Sequence, residues 1–282
     1  MTIKRVGIVG SGIMGSGIAE VAAKAGHEVV LRSRQQATAE RMVTGLEKSL
    51  AKQVERGKLT AEEQADAVSR VTVTTDLGDL AECDLVIESI VEDLHAKRHL
   101  FNELDRICGE DTILATNTST LPVIEMAMET GRPERVCGLH FFNPAPAMPL
   151  VEIVRPLIAS DDTMAEVRAF AEACGKSPVE VKDRAGFIVN ALLFPYCNNA
   201  VRMLESGTAS RDDIDAAMKG GCNFPMGPLA LLDLVGLDTS LAILDALYAE
   251  FRDPNYAAVP TLRRMVAAGH LGRKTKRGFY TY

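Results

Sequence analysis

Six residues constrain this chain more than any others: Gly10-Ser11-Gly12-Ile13-Met14-Gly15. A G-x-G-x-x-G recurs by chance, so its context decides its meaning. Before it, Arg5-Val6-Gly7-Ile8-Val9 reads as a fully buried strand; after it, Ile13 to Ala25 has helical spacing. A strand that turns on glycine into a helix begins a crossover unit, and crossover units build parallel sheets covered by helices. Each glycine has its own duty. Gly10 allows the tight turn, Gly12 lets backbone approach a pyrophosphate, and Gly15 lets the helix pack close to the strand. The helix N-terminus then offers free N–H groups and a positive dipole end, which places Gly10, Gly12, Ile13, Met14 and Gly15 against phosphates. The plain alternative is a glycine-rich turn without a ligand.

The same alternation continues. Glu28–Leu31, Val71–Thr74, Asp84–Glu88 and Thr112–Ala115 read as strands, Gln36–Arg56 and Leu94–Ile107 as helices. Arg135–Phe141 and Leu150–Val154 read as two more strands, separated by Asn143–Pro149, where three prolines in seven residues suit a loop. A helix over Asp161–Cys174 and a strand over Pro178–Lys182 follow. From Gly186 onward only helical spacing remains. Phe187–Leu204 forms the first helix, Ser210 caps the next, and breaks fall at Gly220-Gly221, Pro225, Pro228 and Gly236. The expectation is an α/β chain with a mostly parallel sheet domain at 1–184 and an all-helical domain at 185–282.

Composition removes several classes. A net charge of −7 gives no basic face for a run of phosphates, so no nucleic acid partner is expected. The longest apolar run, near Ala191–Tyr196, is short and carries Pro195, so no membrane span is expected. The first residues run directly into a strand pattern without a secretory signal, and the six cysteines form no C-x-x-C. Both point to a cytoplasmic protein with reduced thiols. Cys137 and His140 make a C-x-x-H, but without a second ligand pair the expected metal count is zero.

About twenty residues beyond the glycines, an acidic residue would bind ribose hydroxyls and favour NAD. Leu31-Arg32-Ser33-Arg34 stands there instead. Two guanidiniums and a hydroxyl suit a 2′-phosphate, so NADP(H) is favoured, with NAD(H) retained as the alternative of a solvated basic turn.

Four residues carry candidate chemistry. If the strands around His140 and Glu152 pair as an antiparallel hairpin centred near Pro146, the two side chains face each other. A carboxylate beside an imidazole fixes its tautomer, as a general base requires, although a His–Glu bond inside a core is the structural alternative. Ser119, in Asn117-Thr118-Ser119-Thr120 after the fifth strand, lies where open parallel sheets bind ligands; capping a helix near Leu121 is its bland role. Asn190, one turn into the first helix of the second domain, offers an amide to a carbonyl oxygen or else simple polarity at a helix start.

With these residues in place, the sequence resembles the short-chain L-3-hydroxyacyl-CoA dehydrogenase family over its whole length. The resemblance rests on the glycine motif, Val86-Ile87-Glu88-Ser89-Ile90-Val91-Glu92-Asp93, Asn117-Thr118-Ser119, His140-Phe141-Phe142-Asn143-Pro144, Val151-Glu152-Ile153 and Arg184-Ala185-Gly186-Phe187-Ile188-Val189-Asn190. Phe224-Pro225-Met226-Gly227-Pro228 and the terminal Gly278-Phe279-Tyr280 extend it. It implies a Rossmann-type sheet domain, a helical C-terminal domain that makes a homodimer, and an acyl-CoA substrate. It also implies roles: His140 as general base or acid, Glu152 orienting it, Ser119 bonding the reacting oxygen and Asn190 holding substrate. Glu92, Lys97, Asn117 and Asn143 match positions that contact or organise the nicotinamide side, and Lys52 and Arg56 match basic contacts to coenzyme A. Ser33 departs from the acidic residue common in NAD-using members. Two other classes stay open: a non-catalytic NAD(P)-binding protein on this fold, and a dehydrogenase of free 3-hydroxy acids, which generally uses a lysine such as Lys182.

Overall fold

The computed structural model describes residues 3–282. The chain resolves into two compact units, the first ending at Asp183 and the second spanning Arg184–Tyr282.

The first unit is one eight-stranded sheet. Its strands are β1 (Arg5–Val9), β2 (Glu28–Arg32), β3 (Val71–Thr74), β4 (Leu85–Glu88), β5 (Ile113–Thr116), β6 (Val136–Phe141), β7 (Leu150–Arg155) and β8 (Ser177–Lys182), in the order β3-β2-β1-β4-β5-β6-β7-β8. All neighbours are parallel except β6 and β7, which pair antiparallel with His140 opposite Glu152. The helices are α1 (Ile13–Lys24), α2 (Gln36–Glu55), α3 (Ala61–Ser69), α4 (Leu94–Ile107), α5 (Val123–Ala127) and α6 (Asp161–Ala173). The central strands β4, β5 and β6 are buried along their whole length, which is why they read as continuous apolar runs without alternation. Strand order reverses between β1 and β4, so the C-terminal ends of these strands flank a crevice where such sheets take ligands.

Two local features depart from the sequence expectation. Helix α3 lies in a stretch left without an element; Thr60 and Glu63 close a reciprocal capping box on it, each side chain bonding the other's backbone N–H. The helix expected near Leu121 begins at Val123, and Ser119 does not cap it. The cap comes from far away in sequence: the Asp183 carboxylate accepts from the N–H groups of Val123 and Ile124 at 3.0 and 2.8 Å.

His27, in the turn after α1, packs against the ring of Phe170 at 5.1 Å, and its Nε2 is buried without a hydrogen-bond partner. Burial holds its pKa below the ordinary 6.5. A lowered folded pKa means the unfolded chain binds more protons just below pH 6.5, so stability is full above that value and falls as pH drops through it. The expected result is a wild-type urea midpoint that falls between about pH 8 and about pH 5 by more than that of His27→Phe. Parallel pH curves for the two proteins would remove His27 from the account.

The second unit holds five helices: α7 (Val189–Glu205), α8 (Arg211–Cys222), α9 (Pro228–Val235), α10 (Leu237–Phe251) and α11 (Pro260–Ala267). Its core joins Phe194, Val201, Leu229, Leu232, Leu244, Leu247 and Leu262. Two buried carboxylates organise the chain end. Asp215 accepts from the N–H groups of Leu229 and Ala230 at the start of α9 and from the Tyr280 hydroxyl. Asp233 accepts from the N–H groups of Phe279 and Tyr280. Gly278 is required beside it, because a Cβ there would overlap the Asp233 carboxylate. Among the described residues, no helix is long and apolar enough to cross a membrane.

Candidate active site

The phosphate loop has the geometry its glycines imply. Gly10 sits at φ +135°, and a Cβ on it would lie 2.1 Å from the Ser89 carbonyl oxygen at the end of β4. A Cβ on Gly15 would lie 2.1 Å from the Gly10 carbonyl, so α1 packs onto the turn only through glycine. Gly12 is the reverse case: a Cβ there meets nothing within 4 Å. It is the N-cap of α1 and supplies no side chain to the first-turn N–H groups. Ile13 is exposed and Met14 half-buried beside it. Open space in front of an uncapped helix N-terminus fits the pyrophosphate of a dinucleotide.

The second cluster lies at the ends of β5 and β6. His140 Nδ1 is 2.7 Å from Glu152 Oε2, and its Nε2 is 3.1 Å from Ser119 Oγ. His140 and Glu152 are buried, and the Phe142 ring lies 4.6 Å from the imidazole. A carboxylate only accepts, so Nδ1 carries the proton and Nε2 is left to accept from Ser119. A substrate hydroxyl placed beside Nε2 and Ser119 Oγ would therefore meet a base and a donor together. Cys137 points to the other face of β6 into the apolar core, where burial pushes its thiol up to about 12. Pleating alone thus separates the C-x-x-H pair, and among the described residues no group of three His, Cys, Asp or Glu could hold a metal ion.

The turn bearing Ser119 is held from below. Glu92 Oε1 accepts from the Thr118 hydroxyl and from the N–H groups of Ser119 and Thr120. Its other oxygen is 3.2 Å from Lys97 Nζ, which lies 2.5 Å from Glu88 Oε1. Glu88 also accepts from the Thr116 hydroxyl and the Ile90 N–H. Asn117 Oδ1 accepts from the Phe141 N–H, tying the end of β5 to β6 next to His140. Glu92, Lys97 and Asn117 therefore organise the turn. Glu88 and the two threonines were not among the expected site residues. The signal was present: an acid closing the apolar run Leu85-Val86-Ile87 needs a buried partner, and Lys97 is one.

The remaining candidates are more dispersed. Ser33 is buried, its N–H donating to the Thr74 carbonyl. Arg32 Nε donates to the Thr75 carbonyl at 3.3 Å, while Arg34 is exposed. Lys52 and Arg56 are exposed at the C-terminal end of α2. Asn143 is exposed in the β6–β7 loop and lines a cavity of about 520 Å³ with Gly12, Ile13, α1 and α2. Thr38, Arg41 and Ser49 of α2 also line it, and spacing alone gave no sign of them. Asn190 belongs to the second unit, buried in the first turn of α7.

Comparison with known proteins adds an independent line. A model of the 3-hydroxyacyl-CoA dehydrogenase NAD binding domain matches residues 5–184, and one of the 3-hydroxyacyl-CoA dehydrogenase C-terminal domain matches residues 186–282. The chain is similar to the 3-hydroxybutyryl-CoA dehydrogenase of Mycobacterium tuberculosis, with 49% identity over 99% of each chain. The protein of the same name from Clostridioides difficile is 48% identical, again over 99% of each. Among solved structures, the (S)-3-hydroxybutyryl-CoA dehydrogenase of Ralstonia eutropha has a TM-score of 0.97 at 45% identity, covering 100% of this chain and 99% of that one.

Proposed function

Because the chain belongs to the 3-hydroxyacyl-CoA dehydrogenase family, we propose that it interconverts 3-hydroxybutyryl-CoA and acetoacetyl-CoA, with the proton handled by His140. The observation that carries this reading is an imidazole fixed on one nitrogen by Glu152 and facing Ser119 with the other.

A nicotinamide cofactor bound on Gly10, Gly12, Ile13, Met14 and Gly15 supplies hydride exchange at the substrate C3. The chain's own residues do the rest. His140 Nε2 takes the hydroxyl proton in oxidation and returns it in reduction, while Glu152 stabilises the imidazolium. Ser119 hydrogen-bonds the reacting oxygen, where charge develops. Asn190 holds the thioester end, Asn143 and the Glu92–Lys97–Asn117 set order the nicotinamide side, and Lys52 and Arg56 meet the coenzyme A phosphates. The sheet unit is the cofactor domain. The helical unit serves substrate binding and a cytoplasmic homodimer; its exposed Leu192, Met203, Phe224 and Leu234 support a second copy as their cover.

Cofactor choice follows from the end of β2. The residues closing β2, Arg32-Ser33-Arg34, include no carboxylate of the kind that binds ribose hydroxyls, and Arg34 is the exposed guanidinium nearest in sequence to Ser33, so NADPH is the preferred partner and NADH the weaker one. The direct test is the initial rate of acetoacetyl-CoA reduction with each. A charged hydrogen bond contributes about 1.5–3 kcal/mol, so Arg34→Ala is expected to weaken NADPH by about tenfold to a hundredfold and leave NADH unchanged. An NADH preference, or equal loss of both in the variant, would refute the 2′-phosphate site. Absence of turnover with either would refute the acetoacetyl-CoA assignment.

A further inference from the structure

The loop joining β6 to β7 is short of donors. Pro144, Pro146 and Pro149 have no N–H, and the N–H groups of Ala147 and Met148 both turn back onto the Pro144 carbonyl. The carbonyls of Ala145 and Met148 are met from outside the loop. Lys176 Nζ donates to Ala145 at 2.6 Å and to Met148 at 2.8 Å. Lys176 stands in the turn between α6 and β8, and the next N–H, that of Ser177, donates to the Pro149 carbonyl at 2.8 Å. Desolvation holds the ammonium below the ordinary lysine range, as expected for a charge withdrawn from water. Helix α1 also comes close to the loop, at Gly17, where a Cβ would lie 3.1 Å from the Ala145 Cβ and 3.2 Å from Pro146 Cδ. The loop is therefore packed against α1 and held by one ammonium. Its residues Asn143–Pro146 form a wall of the 520 Å³ cavity, and the wall begins three residues after His140.

We propose that Lys176 is a positioning residue: by binding the carbonyls of Ala145 and Met148 it sets the Asn143–Pro146 wall, and with it the affinity for the acyl-CoA substrate. It touches no reacting atom. The kinetic consequence rests on the acyl-CoA reading above; the structural consequence does not.

Lys176→Met keeps the apolar stem and removes both bonds, while Lys176→Arg keeps two donors. Lys176→Met is expected to raise KM for acetoacetyl-CoA by about tenfold, from loss of charge-assisted hydrogen bonds, with kcat within about threefold of wild type. Because Gly12, Ile13 and Asn143 line the same cavity, the Kd for the nicotinamide cofactor also rises, by a smaller factor of about threefold. Lys176→Arg restores most of the KM, and Gly17→Ala, which presses the same wall from α1, reproduces the rise. Amide exchange at Ala147 and Met148 is expected to accelerate about tenfold or more in Lys176→Met, a readout that needs no substrate. A folded Lys176→Met with unchanged KM overturns the proposal. So does unchanged exchange in the loop, or a loss of kcat and thermal stability that arginine fails to rescue. If the wild type turns over no acyl-CoA, the functional reading falls, while the exchange measurement still decides whether Lys176 holds the loop.

Discussion

Replacing His140 by alanine is expected to lower kcat for acetoacetyl-CoA reduction by about a hundredfold to ten-thousandfold, with the cofactor Kd nearly unchanged. The size follows from what the residue does. The 3-oxygen gains or loses a proton as its carbon changes oxidation state, and only one base in the cluster is aimed at it: Nε2, at 3.1 Å from Ser119 Oγ. Glu152→Gln is the sharper companion. An amide can present its N–H₂ to Nδ1, which would favour the other tautomer and place a proton on Nε2. The pair should therefore be non-additive: once His140 is gone, Glu152→Gln costs little more. Ser119→Ala, which removes a donor and leaves the base, should cost less than either. Near-normal kcat in His140→Ala would end the general-base assignment. Additive losses for His140 and Glu152 would mean that the carboxylate acts elsewhere.

The fold was legible where local sequence controls it. Strand β1, the glycine turn and α1 follow from adjacent residues, and so does the register of the hairpin, because two strands joined by one proline-rich loop leave little freedom. His140 and Glu152 are equidistant from Pro146, and the structure pairs them. What was not legible depends on distant contacts. The start of α5 is fixed by Asp183, sixty residues away, so the sequence near Leu121 carries no trace of it. Helix α3 has a weak apolar stripe, only Ala67 being buried, and its capping box is the better signal. The cavity wall on α2 depends on how that helix lies across α1, which spacing on one helix does not encode. Lys176 was unreadable for the same reason: a lysine in a turn is ordinarily solvated, and only the fold brings it to two donor-poor carbonyls.

The other large effect is expected at Lys97, and it is first an effect on stability. Lys97 and Glu88 are almost completely buried, 2.5 Å apart, whereas Glu92, the other partner of the ammonium, is 41% exposed. Removing one partner of a buried pair leaves an uncompensated charge in low dielectric, at a cost of about 3–5 kcal/mol. Lys97→Met strands the Glu88 carboxylate in that way; Glu88→Gln strands the ammonium less, because Glu92 and the solvent near it remain. The expected order of urea midpoints is wild type, then Glu88→Gln, then Lys97→Met. The double variant should lie above Lys97→Met, since both charges are then gone. Activity separates the second duty of the same lysine. Glu92 holds the N–H groups of Ser119 and Thr120, and without Lys97 it is free to swing toward water. The double variant should therefore regain stability and still show a reduced kcat, because neutralising Glu88 does nothing to hold Glu92. Recovery of stability and kcat together would place the whole function of Lys97 in the buried pair, and mean that Glu92 holds the Ser119 turn without it.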